Sequence, residues 1–144
     1  MISKAVRKAY SKFHSRNHDT LYLCVDIHDT IAESNYTGIS YNFYKEAIEA
    51  LKFLSTLKEI RIILYSCCYE KEHPVYVEEL RKLGVRVDYF NENPEIPNTL
   101  TGCFDKKFYF DILIDDKAGF DYLFDWEVLV KSIVHFREKY AKNV

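Results

Sequence analysis

No apolar run in this chain approaches the ~20 residues that a membrane-spanning helix needs, so no membrane partner is expected. The N-terminus lacks the apolar stretch of a secretory leader. Cysteine is sparse: Cys24, Cys67, Cys68 and Cys103, two of them adjacent, form no disulfide framework. Reduced thiols and a cytoplasmic location are the expectation. Paired cysteine or histidine spacings of the zinc-binding kind are missing as well. There is no repeat, low-complexity tract or long linker. Acidic residues are absent before Asp19, while Lys4, Arg7, Lys8, Lys12 and Arg16 concentrate positive charge in a chain whose net charge is −2.

What remains describes a folded protein. At 144 residues, 48% hydrophobic and 16% aromatic, residues 1–144 suit one domain with a substantial core. Within residues 1–18, Ala5, Val6, Ala9, Tyr10 and Phe13 recur at helical spacing, which predicts a basic amphipathic helix packed on the domain. The same helix is a candidate contact for an acidic partner. Strand and helix signals then alternate. Leu21–Asp26 reads as a strand and 41–58 as a helix with Phe43, Ala47, Ala50, Leu51 and Leu54 on one face. Arg61–Tyr65 is a continuous apolar strand. A helix from Pro74 to Leu83 is stopped by Gly84. Strands at Val85–Phe90 and Phe108–Ile114 follow, with a closing helix at 125–141. Strands separated by helices imply an α/β fold: a three-layer, Rossmann-like parallel sheet with helices on both faces and right-handed crossovers.

The chemistry concentrates at strand ends. Leu21-Tyr22-Leu23-Cys24-Val25 delivers Asp26, and Phe108–Ile114 delivers Asp115 and Asp116. Carboxylates at the C-terminal ends of neighbouring parallel strands converge on one crevice, where a hard divalent cation finds oxygen ligands. Asp111, alternating within its strand, reads either as a ligand or as a buried hydrogen-bonded carboxylate. Glu92 and Asn93 follow another strand end and are further candidates for the crevice. Lys117, beside the acidic pair, reads as a charge that offsets it.

Asp26-x-x-x-Thr30, a strand ending in Ser66, a lysine, and a strand ending in Asp115-Asp116 occur in the motif order of the haloacid dehalogenase (HAD) superfamily. The chain resembles in particular its small capless hydrolases from bacteria and phages, over roughly residues 20–126. The resemblance implies Asp26 as a nucleophile that forms an aspartyl-phosphate. It implies Mg²⁺ held by Asp26, the main-chain carbonyl of His28, and Asp115 or Asp116. Ser66 would hydrogen-bond a phosphoryl oxygen and Thr30 would fix the loop after the nucleophile. Lys107, or alternatively Lys106, would balance negative charge. The expected activity is Mg²⁺-dependent phosphomonoester hydrolysis.

His28 departs from that pattern, which has a second aspartate there as general acid and base. Histidine can shuttle protons near neutrality, so an altered phosphatase is one expectation. A non-catalytic binding or regulatory protein that has lost its acid/base is the other. Asp29 lies one residue too far to substitute. The loop 31–40 is too short for a large cap, so the site should be open, as in enzymes that act on large substrates or complete their pocket by forming a homo-oligomer. Tyr36 and Tyr41 are candidates to stack on a base, or else to pack. The expected partner is a phosphorylated small molecule or a nucleic-acid phosphate end.

Overall fold

The computed structural model describes residues 1–16 and 18–140. Its elements run α1 (Ile2–Arg16), β1 (Leu21–Asp26), α2 (Lys45–Ser55), β2 (Ile60–Tyr65), α3 (His73–Lys82), β3 (Tyr89–Phe90), β4 (Ile112–Ile114) and α4 (Asp125–Tyr140). Asn17 of the expected first helix and Ala141 of the expected closing helix lie outside the described residues.

The strands form a four-stranded sheet in the order β3-β2-β1-β4, all parallel. β1 and β2 are its centre, which explains their nearly uninterrupted apolar sequences: a parallel strand flanked on both sides and covered on both faces has little use for polar residues. In register, Leu23 stands beside Ile62 and Ile112, and Val25 beside Leu64 and Ile114. These residues and Leu21 face one buried cluster that also takes Val6, Ala9 and Tyr10 from α1, Leu51 and Leu54 from α2, Tyr76 and Leu80 from α3, and Trp126, Leu129 and Ile133 from α4. Each large side chain removed from water there contributes about 1.5–3 kcal/mol.

All four helices therefore lie against one face of the sheet, which corrects the expectation of helices on both faces. The reason is the connection from β3 to β4. It crosses the opposite face as irregular chain, residues 91–111, with no helix. Glu95 clips this cover down. Its carboxylate accepts hydrogen bonds from Tyr22 Oη (3.2 Å), Arg61 Nε (3.0 Å) and Tyr89 Oη (2.5 Å). Partial burial opposes its charge, but the bonds from Tyr89, Arg61 and Tyr22 and the Arg61 charge bring its pKa below the ordinary value. Tyr109 meets Tyr22 edge-on, and Phe108 meets Tyr65.

Two strands are shorter than the sequence suggests. Of residues 85–88 only Asp88 joins its backbone to β2, its N–H donating to Ile62 O, while Arg86 reaches Ile60 O through its guanidinium. Phe108 and Tyr109 turn their rings onto Tyr65 and Tyr22 of the sheet, and of residues 108–111 only Asp111 reaches the ladder, its N–H donating to Tyr22 O. The helix expected over 41–58 begins only at Lys45, because Phe43 pairs with Ala32 and Tyr44 N–H donates to Ile31 O. α1 is amphipathic as expected: Lys4, Arg7, Lys8 and Arg16 are exposed and Val6, Ala9 and Tyr10 are buried. Glu59, 2% exposed, ties it to the rest by accepting bonds from Tyr10 Oη and Arg137 Nε. All four cysteines are free thiols.

Candidate active site

Asp26 ends β1, and Asp115 and Asp116 follow β4, its parallel neighbour. The geometry of the sheet thus places all three at one edge, and their carboxylate oxygens lie within 4.8 Å of one another. Thr30, fully buried, links the two strand ends. Its Oγ1 donates to Asp26 Oδ2 (3.0 Å) and accepts from Asp116 N (3.1 Å), while its carbonyl accepts from Trp126 Nε1 (3.0 Å). One oxygen of Asp26 is thereby fixed. Asp115 caps a 3-10 turn, Asp116–Ala118, by accepting from Lys117 N (2.8 Å). That turn closes at Gly119, whose φ of 92° is left-handed and suits glycine.

The loop after β1 doubles back tightly. Ile27 O accepts from the N–H groups of Thr30, Ile31 and Ala32. Asp29 sits at φ 58°, a left-handed conformation that aspartate tolerates better than most residues. Its carboxylate is spent on the loop, accepting from Ser34 Oγ (2.6 Å) and Ser34 N (3.3 Å). His28 is half-buried, and its Nε2 stands 3.4 Å from Tyr76 Oη, which also accepts from Ser40 N (3.0 Å).

Ser66 follows β2, one residue beyond Tyr65, the register partner of Asp26. It is held by Asn91, a residue to which the sequence alone assigns no role. Ser66 N donates to Asn91 Oδ1 (2.9 Å), and Asn91 Nδ2 donates to Ser66 O (2.7 Å). Asn91 too is left-handed, φ 55°. An asparagine immediately after a short strand was the available signal. Ser66 Oγ accepts from Cys68 N (3.3 Å).

Other candidates lie elsewhere. Lys107 places its Nζ 5.9 Å from the Phe110 ring, in a cavity lined by residues 102–104 and 107–110. Lys106 lines a separate cavity between 91–98 and 104–108. Lys117 is exposed. Asp111 is a structural carboxylate, accepting from Tyr22 N (2.9 Å) and Tyr109 Oη (2.6 Å). Asn93 is buried and donates to Tyr109 O, and Glu92 is exposed.

The electrostatics of the cluster are lopsided. Burial pushes the Asp26 pKa up to about 7; the Thr30 bond works against this, and the negative charges of Asp115 and Asp116 add to it. Three hard oxygen donors with this much uncompensated charge suit a hard divalent cation.

No family model matches the chain, and no curated protein does either. Among solved structures, the fold is similar to that of a conserved protein from Bacteroides thetaiotaomicron. The two are 26% identical, with a TM-score of 0.63, over 81% of this chain and 91% of that one. Among the described residues, no helix is long and apolar enough to cross a membrane.

Proposed function

We propose that this chain is a Mg²⁺-dependent phosphomonoester hydrolase of HAD type, working through a phosphorylated Asp26. The observation that carries the reading is the convergence of Asp26, Asp115 and Asp116 at adjacent strand ends, with Ser66 at the next strand end. Asp26, Asp115 and the His28 carbonyl would hold the cation, with Asp116 as the alternative carboxylate. When bound, the cation offsets the carboxylate and phosphate charges so that an anionic nucleophile can approach an anionic phosphoryl group.

The chain's own groups then divide the work. Thr30 holds one oxygen of Asp26 and leaves the other to attack phosphorus. The new O–P bond forms as the ester P–O bond breaks, and His28 donates a proton to the leaving oxygen. Neutral His28 next takes a proton from water, whose oxygen attacks the phosphoryl group and releases inorganic phosphate and free Asp26. Ser66 donates to a phosphoryl oxygen from the β2 side, in a position set by Asn91. The role of Lys107 or Lys106 as a balancing cation belongs to the same proposal. It requires movement of residues 102–108.

Phosphate release from a panel of phosphomonoesters tests the reading. Wild type in Mg²⁺ should turn over, and EDTA or Asp26→Asn should reduce the rate at least 10³-fold, as loss of a nucleophile does. Folded protein that binds Mg²⁺ and hydrolyses nothing would replace this reading with that of a non-catalytic binding protein.

A further inference from the structure

A cavity of about 410 Å³ opens beside the candidate active site. His28 lines it from the β1 side, and Cys67 and Cys68, which directly follow Ser66, line it from the β2 side. Residues 35–38 and residues 67–72 supply its two walls, with Tyr76 between them. Its volume falls within the ~300–1,000 Å³ typical of small-molecule sites. Each wall carries a tyrosine that packs on almost nothing: Tyr36 is 97% exposed and Tyr69 77% exposed. Two such rings on two loops that face one cavity need an explanation, because solvent-exposed aromatic surface is unfavourable. Tyr41, also exposed, does not line the cavity.

The polar groups of the lining are largely consumed by the loops themselves. Asn35 Oδ1 accepts from Thr37 N and Thr37 Oγ1, and Asn35 Nδ2 donates to Ile39 O. Glu72 Oε2 accepts from Tyr69 N, and Tyr76 Oη lies between Ser40 N and His28 Nε2. Two charges remain in the lining, Glu72 and Lys71, and neither forms an ion pair among the described residues; Lys71 Nζ stands 5.9 Å from the Tyr69 ring.

We infer that this cavity is an aromatic clamp in which Tyr36 and Tyr69 stack on the base of a mononucleotide whose phosphate reaches the Asp26 crevice. The inference rests on the hydrolase reading above for the phosphate end, and on the cavity alone for the base. Every base has a π-face, so stacking tolerates them all. Stacking on two rings therefore selects an aromatic base and discriminates weakly among bases. Lys71 is placed to meet negative charge on the ligand.

The test compares adenosine 5′-monophosphate, ribose 5-phosphate and a 5′-phosphorylated oligonucleotide as substrates, and measures calorimetric binding of the first two to Asp26→Asn in Mg²⁺. Both tyrosines are exposed, so their variants will fold. The mononucleotide should be preferred over ribose 5-phosphate at least tenfold in KM and in affinity. Tyr36→Ala and Tyr69→Ala should each reduce that preference several-fold, the loss expected when one base-stacking ring is removed, and Tyr36→Phe should keep it. Tyrosine-dependent binding of the mononucleotide without phosphate release from any ester would sustain the clamp and remove the hydrolase reading. Equal use of the mononucleotide and ribose 5-phosphate would overturn the clamp and leave the hydrolase reading standing. Preference for the oligonucleotide that survives both alanine variants would overturn it in favour of a nucleic-acid end.

Discussion

Asp26 is held where its charge is unwelcome, and that has a measurable consequence. Its pKa is about 7 in the fold against an ordinary 3.8, chiefly through burial. Between those values the folded chain holds a proton that the unfolded chain releases. Its contribution is therefore most destabilising above pH 7 and is relieved as pH falls through that window. Asp26→Asn should raise the Tm of the metal-free protein at pH 8. The gain should shrink on acidification and be nearly gone by pH 4, and saturating Mg²⁺ should narrow it at pH 8 by stabilising wild type alone. Thermal melts across pH, with and without Mg²⁺, check this; a lower Tm for the variant at pH 8 would contradict it. The same residue was the clearest in the sequence, because an apolar strand ending in a carboxylate has few other uses when a second strand ends likewise. Asn91 was legible only as an asparagine following a short strand. Its value comes from reaching back to Ser66 across adjacent strand ends, and nothing in the local sequence of 89–93 records that reach.

At the scale of elements, the two central strands were legible and the two flanking ones only partly. β1 and β2 carry nearly unbroken apolar sequences because both their faces are covered. Val85–Asp88 and Phe108–Asp111 carry similar sequences for a different reason: their side chains pack beside the sheet or over it, while their backbone joins the ladder only at Asp88 and Asp111. Periodicity cannot separate those cases. Phe43 misled the reading of α2 in the same manner, since its apolar side chain belongs to the pairing with Ala32 and not to the helix. The β2–β3 end is the element on which Ser66 depends. Asn91→Ala removes two hydrogen bonds to the Ser66 backbone and puts at φ 55° a residue that tolerates the left-handed region less well than asparagine. It should cost about 1–3 kcal/mol of stability and lower kcat about tenfold or more by releasing Ser66. Asn91→Gly should recover part of the stability and none of the rate. Denaturant unfolding and steady-state kinetics separate the two effects, and full activity in Asn91→Ala would show that Ser66 needs no such anchor.

At the scale of the molecule, the alternation of strands and helices foretold a parallel α/β sheet. It did not foretell the layering. The β3–β4 connection has the length of a helical crossover but is rich in asparagine and proline, and it covers its face with Glu95, Phe108 and Tyr109 instead. All helices gather on the other face, where Glu59 joins α1, α4 and the start of β2. Among the described residues, the acidic edge and the cavity beside His28 are framed by the loops 31–44 and 66–72 and by the turn Asp116–Ala118. That edge makes the proposed nucleophile, Asp26, and the proposed proton shuttle, His28, separable by experiment. The most direct measurement is the pre-steady-state release of p-nitrophenol from p-nitrophenyl phosphate by His28→Ala in Mg²⁺. This leaving group departs without a proton, so attack by Asp26 should proceed while hydrolysis of the phosphorylated enzyme, which needs His28 to activate water, stalls. The account predicts a burst of one equivalent per enzyme followed by a slow steady rate, and no burst when Asp26→Asn is added. A steady rate equal to wild type with no burst, or a burst that survives Asp26→Asn, would contradict it.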